Sequence, residues 1–402
     1  MTAPPSGAPR ANAPTVLVFG AGAVGRGLIG ELFSAAGWAV SFLDVDDALI
    51  AALTADGGYR HLIVGAEASS SFVGPVRAGH AADAARVVEE VLHADCIATA
   101  VGVRALPTLA PSLRAALLHR FDSGGGPVDI LLCENLHDAP RVLRELLTAD
   151  ASPGDAARLV AGTGLVETSI GRMIPSPTGP AATTDIAVEP YGFLPVDASA
   201  QKTDVLRGVP RVVSDETVGF GFYVERKLHI HNMGHFLCGL LGELKGHEFL
   251  WQAAVDPEVR DLTRAAMVES AAALAGRYRR PVALDHIEDL LHRFANRALQ
   301  DPISRVIRDP ARKMEPDDRV LGAYRAARSA GTPAPHLSLA VAAGTLAVVR
   351  DAESRGTAAD AAPGPEHLDP LARRQFAALR RGFDYAEQVG IIGGSYDPPA
   401  IP

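Results

Sequence analysis

The sequence predicts an α/β N-terminal domain, built as a doubly wound parallel sheet, followed by a mostly α-helical C-terminal domain. Three observations predict it. From Thr15 to Val166, short apolar runs alternate with helical patterns, the order of a parallel sheet with helices on both faces. A glycine-rich turn closes the first of those runs. Beyond Val218, apolar residues recur at three-four spacing almost throughout, which is the helical period. A chain of 402 residues is also long enough for two cores.

The first run is Thr15–Phe19 (TVLVF), a buried strand. It ends at Gly20-Ala21-Gly22-Ala23-Val24-Gly25-Arg26-Gly27 and leads into a helical pattern through Ala36. A second strand, Trp38–Leu43, closes at Asp44. Strand, glycine turn, helix, strand and acid each have a reason to be there. Gly20 permits the tight turn, Gly22 lets backbone approach a pyrophosphate, and Gly25 lets helix and strand pack closely. The helix start offers unpaired N–H groups to phosphates. Asp44 stands where an acid accepts hydrogen bonds from ribose hydroxyls and repels a 2′-phosphate, which favours NAD over NADP. In this context the turn reads as the fingerprint of a Rossmann-type domain. Gly20, Ala21, Gly22, Ala23, Val24, Gly25 and Asp44 are therefore candidate cofactor-binding residues.

The alternation continues. Ala81–Leu92 reads as a helix and Asp95–Ala100 as a buried strand ending in the small turn Val101-Gly102. Thr99 and Val101 thus fall at the carboxyl end of a sheet strand, where open α/β sheets bind ligands. Arg104–Leu118 is a helix, Val128–Cys133 a strand, Ala139–Leu147 a helix and Leu159–Val166 a strand. Asn135, just past the Val128–Cys133 strand, either donates its amide to a substrate carbonyl or caps a turn or helix. From Thr178 to Val213, prolines and the β-prone pieces Ile186–Val188, Tyr191–Leu194 and Arg211–Val213 suggest a small added sheet. This domain is expected to span residues 14–217 and the helical one residues 218–402. In the latter, helices are expected from Asn232, over Glu258–Arg277, Asp285–Ala298, Asp318–Ala330 and His336–Arg350, and over Leu368–Val389. Ala352–Pro365 reads as a surface connection and Gly390–Pro402 as loop.

Composition narrows the function. With 48% hydrophobic and 21% charged residues the chain is globular. A net charge of −9 argues against a nucleic-acid surface. Cys96, Cys133 and Cys238 are far apart with no CxxC spacing, which suits a reducing cytosol. No apolar run reaches the length of a membrane span. Residues 1–13 (MTAPPSGAPRANA) lack the apolar core of a signal peptide and read as a disordered tail. A cytoplasmic location is the expectation.

Of 38 basic residues only four are lysines, Lys202, Lys227, Lys245 and Lys313. Arginine keeps its proton in a protein, whereas a desolvated lysine can exchange one. Lys227 has Asn232 five residues on and His235 three further. At about 100° per residue, Asn232 and His235 lie about 60° apart on a helix, and Lys227 about 80° from His235. Oxidation of an alcohol by hydride transfer needs a base for the hydroxyl proton and donors for the developing alkoxide. Lys227 could be that base if burial lowers its pKa. Asn232 and Asn135 could be the donors, and His235 could orient a hydroxyl. The bland alternative for Lys227 is a solvated surface lysine.

Lys227-x4-Asn232-x2-His235 resembles the motif of the polyol-specific long-chain dehydrogenases. This family includes mannitol 2-dehydrogenases, hexuronate reductases and mannitol-1-phosphate 5-dehydrogenases, and the likeness is greatest to the last group. It rests on Phe19–Gly30 (FGAGAVGRGLIG), Thr99–Gly102 (TAVG), Cys133–Leu136 (CENL), Val224–His235 (VERKLHIHNMGH), Leu241–His247 (LGELKGH), Arg293–Asn296 (RFAN) and Ala311–Lys313 (ARK). The resemblance implies an NAD-dependent oxidoreductase without zinc, acting on a small-molecule polyol or sugar phosphate, with neither nucleic acid nor membrane as a partner. By position, Lys227 would be the general acid/base, Asn135 and Asn232 would hold the oxyanion, and His235 would place the substrate. Arg305 and Lys313 match substrate-contacting positions, and Arg312 lies beside them. Arg305, Arg308, Arg312 and Lys313 also make sense independently as a phosphate or polyol site, or as a solvated basic helix end. One departure stands out: similar enzymes carry an acid where Gly171 stands.

Three rival readings remain. His229, His231 and His235, near Cys238, give H-x-H-x3-H, and His231 with His235 could share a metal. His229 and His231 lie about 200° apart on a helix, so no metal is expected. A non-catalytic NAD-binding regulator is the rival from another class. Within the enzyme class the alternative is a dehydrogenase of an unphosphorylated polyol or uronate, or of a specialised biosynthetic sugar phosphate. The sequence does not choose between monomer and dimer.

Overall fold

The computed structural model describes residues 13–136, 138–175, 184–356 and 367–393. Two compact units divide between Phe220 and Gly221.

In the first unit a six-stranded parallel sheet runs in the order β5-β2-β1-β6-β7-β8. Its strands are β1 (Thr15–Phe19), β2 (Ala39–Asp44), β5 (Val76–His80), β6 (Cys96–Thr99), β7 (Val128–Leu132) and β8 (Thr163–Glu167). The sheet is buried on both faces, as parallel sheets are. Val16 and Val18 join one apolar core, while Leu17 and Phe19 join the other. Strand order reverses beside β1, so the glycine turn leaves the sheet at the switch point where such folds bind nucleotides.

Several elements between Asp44 and Ala81 carry little sequence signal. A helix over Asp47–Asp56 is capped by the Asp46 carboxylate. β3 (Tyr59–Ile63) and β4 (Ser69–Val73) form an antiparallel pair, and β5 joins the sheet edge beside β2. β4 reads SSSFV and is mostly exposed, and β5 reads VRAGH, so neither shows the apolar alternation that marks a half-buried strand. The expected strand over Leu159–Val166 starts only at Thr163. Residues Pro153–Gly162 are helical, because Ser152 caps the Asp155 N–H and Pro153 is pre-set for a helix start. The small added pieces are present: β9 (Ile186–Val188) extends the β4-β3 pair, and β10 (Leu194–Val196) pairs with β11 (Val212–Ser214).

The second unit is helical. Gly221–Glu225, Arg226–Asn232 and Met233–Leu244 form one continuous helical stretch, so the expected start at Asn232 lies eleven residues too late. Long helices follow at Pro257–Tyr278, Leu284–Phe294, Arg319–Ser329 and Pro335–Arg355. The buried Glu269 carboxylate accepts the His336 and Leu337 N–H groups at the start of the last of these. The single helix expected over Leu368–Val389 is two, Pro370–Arg381 and Tyr385–Ile392, interrupted at Gly382 with φ 146°. The connection expected over Ala352–Pro365 begins later, since the helix runs to Arg355, and the rest of it, from 357, lies outside the described residues. So do the expected tail, except Ala13, and the expected terminal loop from 394, whereas the first residues of that loop, Gly390–Ile392, are helical. Among the described residues no helix is long and apolar enough to cross a membrane.

Candidate active site

In the first unit the glycine turn is held from two sides. Gly20 has φ +96°, and a Cβ there would stand 2.4 Å from the Ala100 carbonyl oxygen. A Cβ on Gly25 would stand 1.9 Å from the Gly20 oxygen, so helix and strand touch through bare backbone. Gly22 has no atom within 4 Å of its would-be Cβ, leaving its backbone open to approach. Asp44 ends β2. Its carboxylate accepts the Ala21 N–H at 2.6 Å, and those of Val45 and Asp46 at 2.7 and 3.0 Å. Asp44 therefore orders the turn as well as placing negative charge beside it. Arg26 does not reach toward phosphate. It is buried and donates to the carbonyls of Ala21 and Thr184. Open backbone at Gly22 and an acid at the end of β2 fit a dinucleotide without a 2′-phosphate.

The loops after β6 and β7 are joined by a residue that the sequence reading passes over. Glu134 is 7% exposed. It accepts the Thr99 hydroxyl at 2.7 Å and the Val101 N–H at 3.2 Å. Burial pushes its carboxyl above the ordinary range, and these neutral donors offset that only in part. Asn135, next in sequence, is exposed. An acid directly after a fully buried strand was the available signal for Glu134.

In the second unit Lys227, Asn232 and His235 share one helix, but not a uniform α-helix. Arg226–Asn232 is a π-helical turn with i→i+5 bonding. A straight α-helix would set Lys227 and Asn232 roughly 140° apart. The wider turn advances less per residue and brings positions five apart toward one face. The His229 carbonyl accepts the Ser270 hydroxyl at 2.9 Å, an extra partner at the altered turn. Helix Arg319–Ser329 passes close by: a Cβ on Gly322 would stand 2.6 Å from His229 Nε2.

Lys227 retains some accessible surface, yet dense protein surrounds its ammonium. That burial, then the charge of Arg319, lowers its pKa to about 8, and Asp318 opposes the shift. Asn232 is half-buried, and no described residue hydrogen-bonds its amide. His235 packs edge-on against Phe294, and its Nε2 lies 3.4 Å from an Asp301 oxygen. His229 and His231 are buried, and burial pushes the first down to about 4 and the second well below the usual range. Both are neutral core residues. Among the described residues no three His, Cys, Asp or Glu side chains are grouped to hold a metal.

The basic cluster divides into two arms. Arg305 is 41% exposed and donates through Nε to Asp301 at 2.7 Å, which ties it to the His235 side. Lys313 is buried, donates to the Val306 carbonyl at 2.6 Å and lies over the Phe236 ring. Burial, then Arg319, Arg312 and Arg308, lower its amine to about 8. Arg312 is half-exposed between Asp309 and Asp318. Arg319, buried and paired with Asp318 at 2.8 Å, acts electrostatically on both Lys227 and Lys313. Sequence reasoning missed Arg319, although a basic residue on the buried face of an amphipathic helix was a usable signal. At Gly171, the position where the resemblance leads one to expect an acid, a Cβ would stand 3.1 Å from the Tyr191 ring.

Comparison with known proteins bears on this arrangement. Residues 14–207 match the mannitol dehydrogenase Rossmann domain and residues 221–372 the mannitol dehydrogenase C-terminal domain. A mannitol-1-phosphate 5-dehydrogenase of Geobacillus thermodenitrificans is 32% identical over 309 residues, covering 75% of this chain and 78% of that protein. One from Brevibacillus brevis is 32% identical over 328 residues, covering 81% and 84%. Among solved structures, the Pseudomonas fluorescens mannitol 2-dehydrogenase ternary complex with NAD and D-mannitol aligns with a TM-score of 0.69 at 17% identity, covering 96% of this chain and 92% of that one. A substrate-free D-sorbitol dehydrogenase aligns with a TM-score of 0.71 at 16% identity, covering 95% and 94%. Those two likenesses carry the fold. Both family domains match in order, and identity to the two relatives extends over most of the chain: the chain belongs to the mannitol dehydrogenase family.

Proposed function

We propose that this family member interconverts a secondary alcohol of a polyol phosphate and the ketone of the matching ketose phosphate, of the mannitol 1-phosphate/fructose 6-phosphate type, with NAD. The observation that carries the chemistry is the Lys227 amine, held near pKa 8 on a π-helical turn. A base with a pKa near operating pH is present in both protonation states and serves both directions. In oxidation the neutral amine takes the hydroxyl proton as the C–O bond becomes C=O. In reduction the ammonium returns that proton to the oxygen. NAD, when bound, accepts the hydride from the same carbon. The Asn232 amide, otherwise unengaged, donates to the oxygen as negative charge develops, and Asn135 is assigned as a second amide donor. His235 orients a neighbouring hydroxyl.

The turn from Gly20 to Gly25, with Asp44, would hold NAD, and Thr99 and Val101 would line it. Lys313, Arg312 and Arg305, with Arg319, are assigned to the phosphate. The support for an anion is Lys313 itself. It is a buried ammonium that donates to a carbonyl and lies over a ring; three arginines act against its charge and Asp309 for it, and a buried charge demands a counter-charge. The two relatives named for mannitol 1-phosphate point the same way. The test is initial-rate turnover of NADH and NADPH with fructose 6-phosphate and fructose, and of NAD with mannitol 1-phosphate and mannitol. NADH with the phosphorylated sugar should exceed the unphosphorylated one by about 10²-fold in kcat/KM, since hydrogen bonds to a charged group contribute ~1.5–3 kcal/mol each. Equal rates with both forms would replace this reading with that of an unphosphorylated polyol or uronate dehydrogenase.

A further inference from the structure

We propose that Asp301 is a positioning residue whose one carboxylate sets both His235 and Arg305, and so fixes the substrate's pose from the second unit. The proposal rests on the assignment of those two side chains to the substrate. Asp301 is 8% exposed. One oxygen lies 3.4 Å from His235 Nε2, and the other accepts the Arg305 Nε–H at 2.7 Å. The two partners come from different elements, the motif helix and the short helix Ile303–Val306. The carboxylate thus couples two side chains that share no backbone segment.

Its own place is well determined. Gln300, at φ 45°, turns the chain into Asp301. The Leu250 N–H donates to the Asp301 carbonyl and the Ile303 N–H to the Glu248 carbonyl, both at 2.9 Å, around a bridge between Phe249 and Pro302. Asp301 therefore stands on a paired corner rather than a loop tip. Burial alone would raise its carboxyl, but hydrogen bonds from His235 and Arg305 outweigh burial and hold it down at about 2. The group is a full carboxylate wherever the protein is folded near neutrality. With Nε2 donating to it, a neutral imidazole keeps its lone pair on Nδ1. In that tautomer His235 is a hydrogen-bond acceptor for a hydroxyl. Arg305 keeps its terminal N–H groups for an oxygen of the substrate, since among the described residues it is Nε that is engaged. Asparagine at 301 offers one acceptor oxygen and one donor amide, so it can keep Arg305 only by presenting its NH2 to His235, which reverses the imidazole's tautomer.

The test is a double-mutant cycle with Asp301→Asn and Arg305→Ala on the full chain, using whichever substrate turns over. Asp301→Asn should lower kcat/KM by about 10–100-fold, the range for losing a residue that orients a site ligand. The loss should appear mainly in KM, with NADH binding within about twofold of the parent. In the Arg305→Ala background the same change should cost several-fold less. Free guanidinium should restore part of the activity of Arg305→Ala, and none when Asp301 is also Asn. Equal losses in both backgrounds, or no loss at all, would overturn the proposal. If Asp301→Asn does not fold, guanidinium with Arg305→Ala decides alone: rescue supports the carboxylate anchor, and no rescue overturns it. A parent enzyme inactive on every polyol and ketose tried would instead strike at the assigned function.

Discussion

Two buried carboxylates stand beside candidate site residues, one in each unit, and their pKa values move in opposite directions. Among the described residues Glu134 in the first unit accepts from neutral donors, the Thr99 hydroxyl and the Val101 N–H, and burial raises its pKa. Asp301 in the second unit is just as enclosed, but a histidine and an arginine pull it down to about 2. The burial is similar, so the difference lies in the partners. The first unit arranges backbone and neutral groups for a ligand that brings its own phosphates. In the second, basic side chains surround the acid: His235 and Arg305 both face Asp301. The linkage signs follow. Glu134 favours the folded state below its unfolded pKa, and that contribution fades as pH rises through its raised folded value. Asp301 contributes above its unfolded pKa, and that contribution is lost as pH falls toward about 2.

The strongest way to break the contrast is at the proton itself. Lys227→Ala should lower kcat by about 10²–10⁴-fold, the usual worth of a general acid/base, while NADH binding, assigned to the first unit, stays near normal. Near-parental turnover in steady-state assays would remove Lys227 from the mechanism. Next in size, Lys313→Met should raise KM for a phosphorylated substrate by about 10–100-fold, from ~1.5–3 kcal/mol per charged hydrogen bond, and change that for its unphosphorylated analogue far less. An equal rise for both would detach Lys313 from the phosphate. Asp44→Ala should shift the NADH/NADPH ratio of kcat/KM toward NADPH by about tenfold, equivalent to ~1.4 kcal/mol. It should also cost some affinity for both, because the Ala21 N–H loses its acceptor. An unchanged ratio would leave Asp44 with the turn alone. The smallest effect is expected for Glu134→Gln. Glutamine retains one acceptor for the Val101 N–H, and the Thr99 hydroxyl can donate or accept. NADH affinity should fall only a few-fold by titration, and a collapse would mean that charge at Glu134 matters after all.

These two regions were unequally legible. The glycine turn, its helix and Asp44 are contiguous, and each residue type has one dominant reason to be there, so they could be read directly. Lys227, Asn232 and His235 could be found by spacing, but their geometry could not be derived from 100° per residue. The π-helical turn at Arg226–Asn232 is visible only in the structure, where it packs against Ser270 and the helix beginning at Arg319. Arg319, Asp301 and Glu134 were passed over because burial, not residue type, gives them their roles. The strand Val76–His80 was missed because its hydrogen bonds to β2 decide its state, while its arginine, glycine and histidine give no β pattern.

The most direct test of Lys227 as the proton carrier is the pH dependence of kcat in both directions. A lysine lowered to about 8 is neutral above that pH. Oxidation should therefore rise about tenfold per pH unit below 8 and level off above it, since one proton must be lost. Reduction should hold level below 8 and fall above it. Lys227→Met should remove both limbs along with most of the rate. Profiles flat from pH 6 to pH 10 in the parent, or limbs that survive in Lys227→Met, would contradict the account.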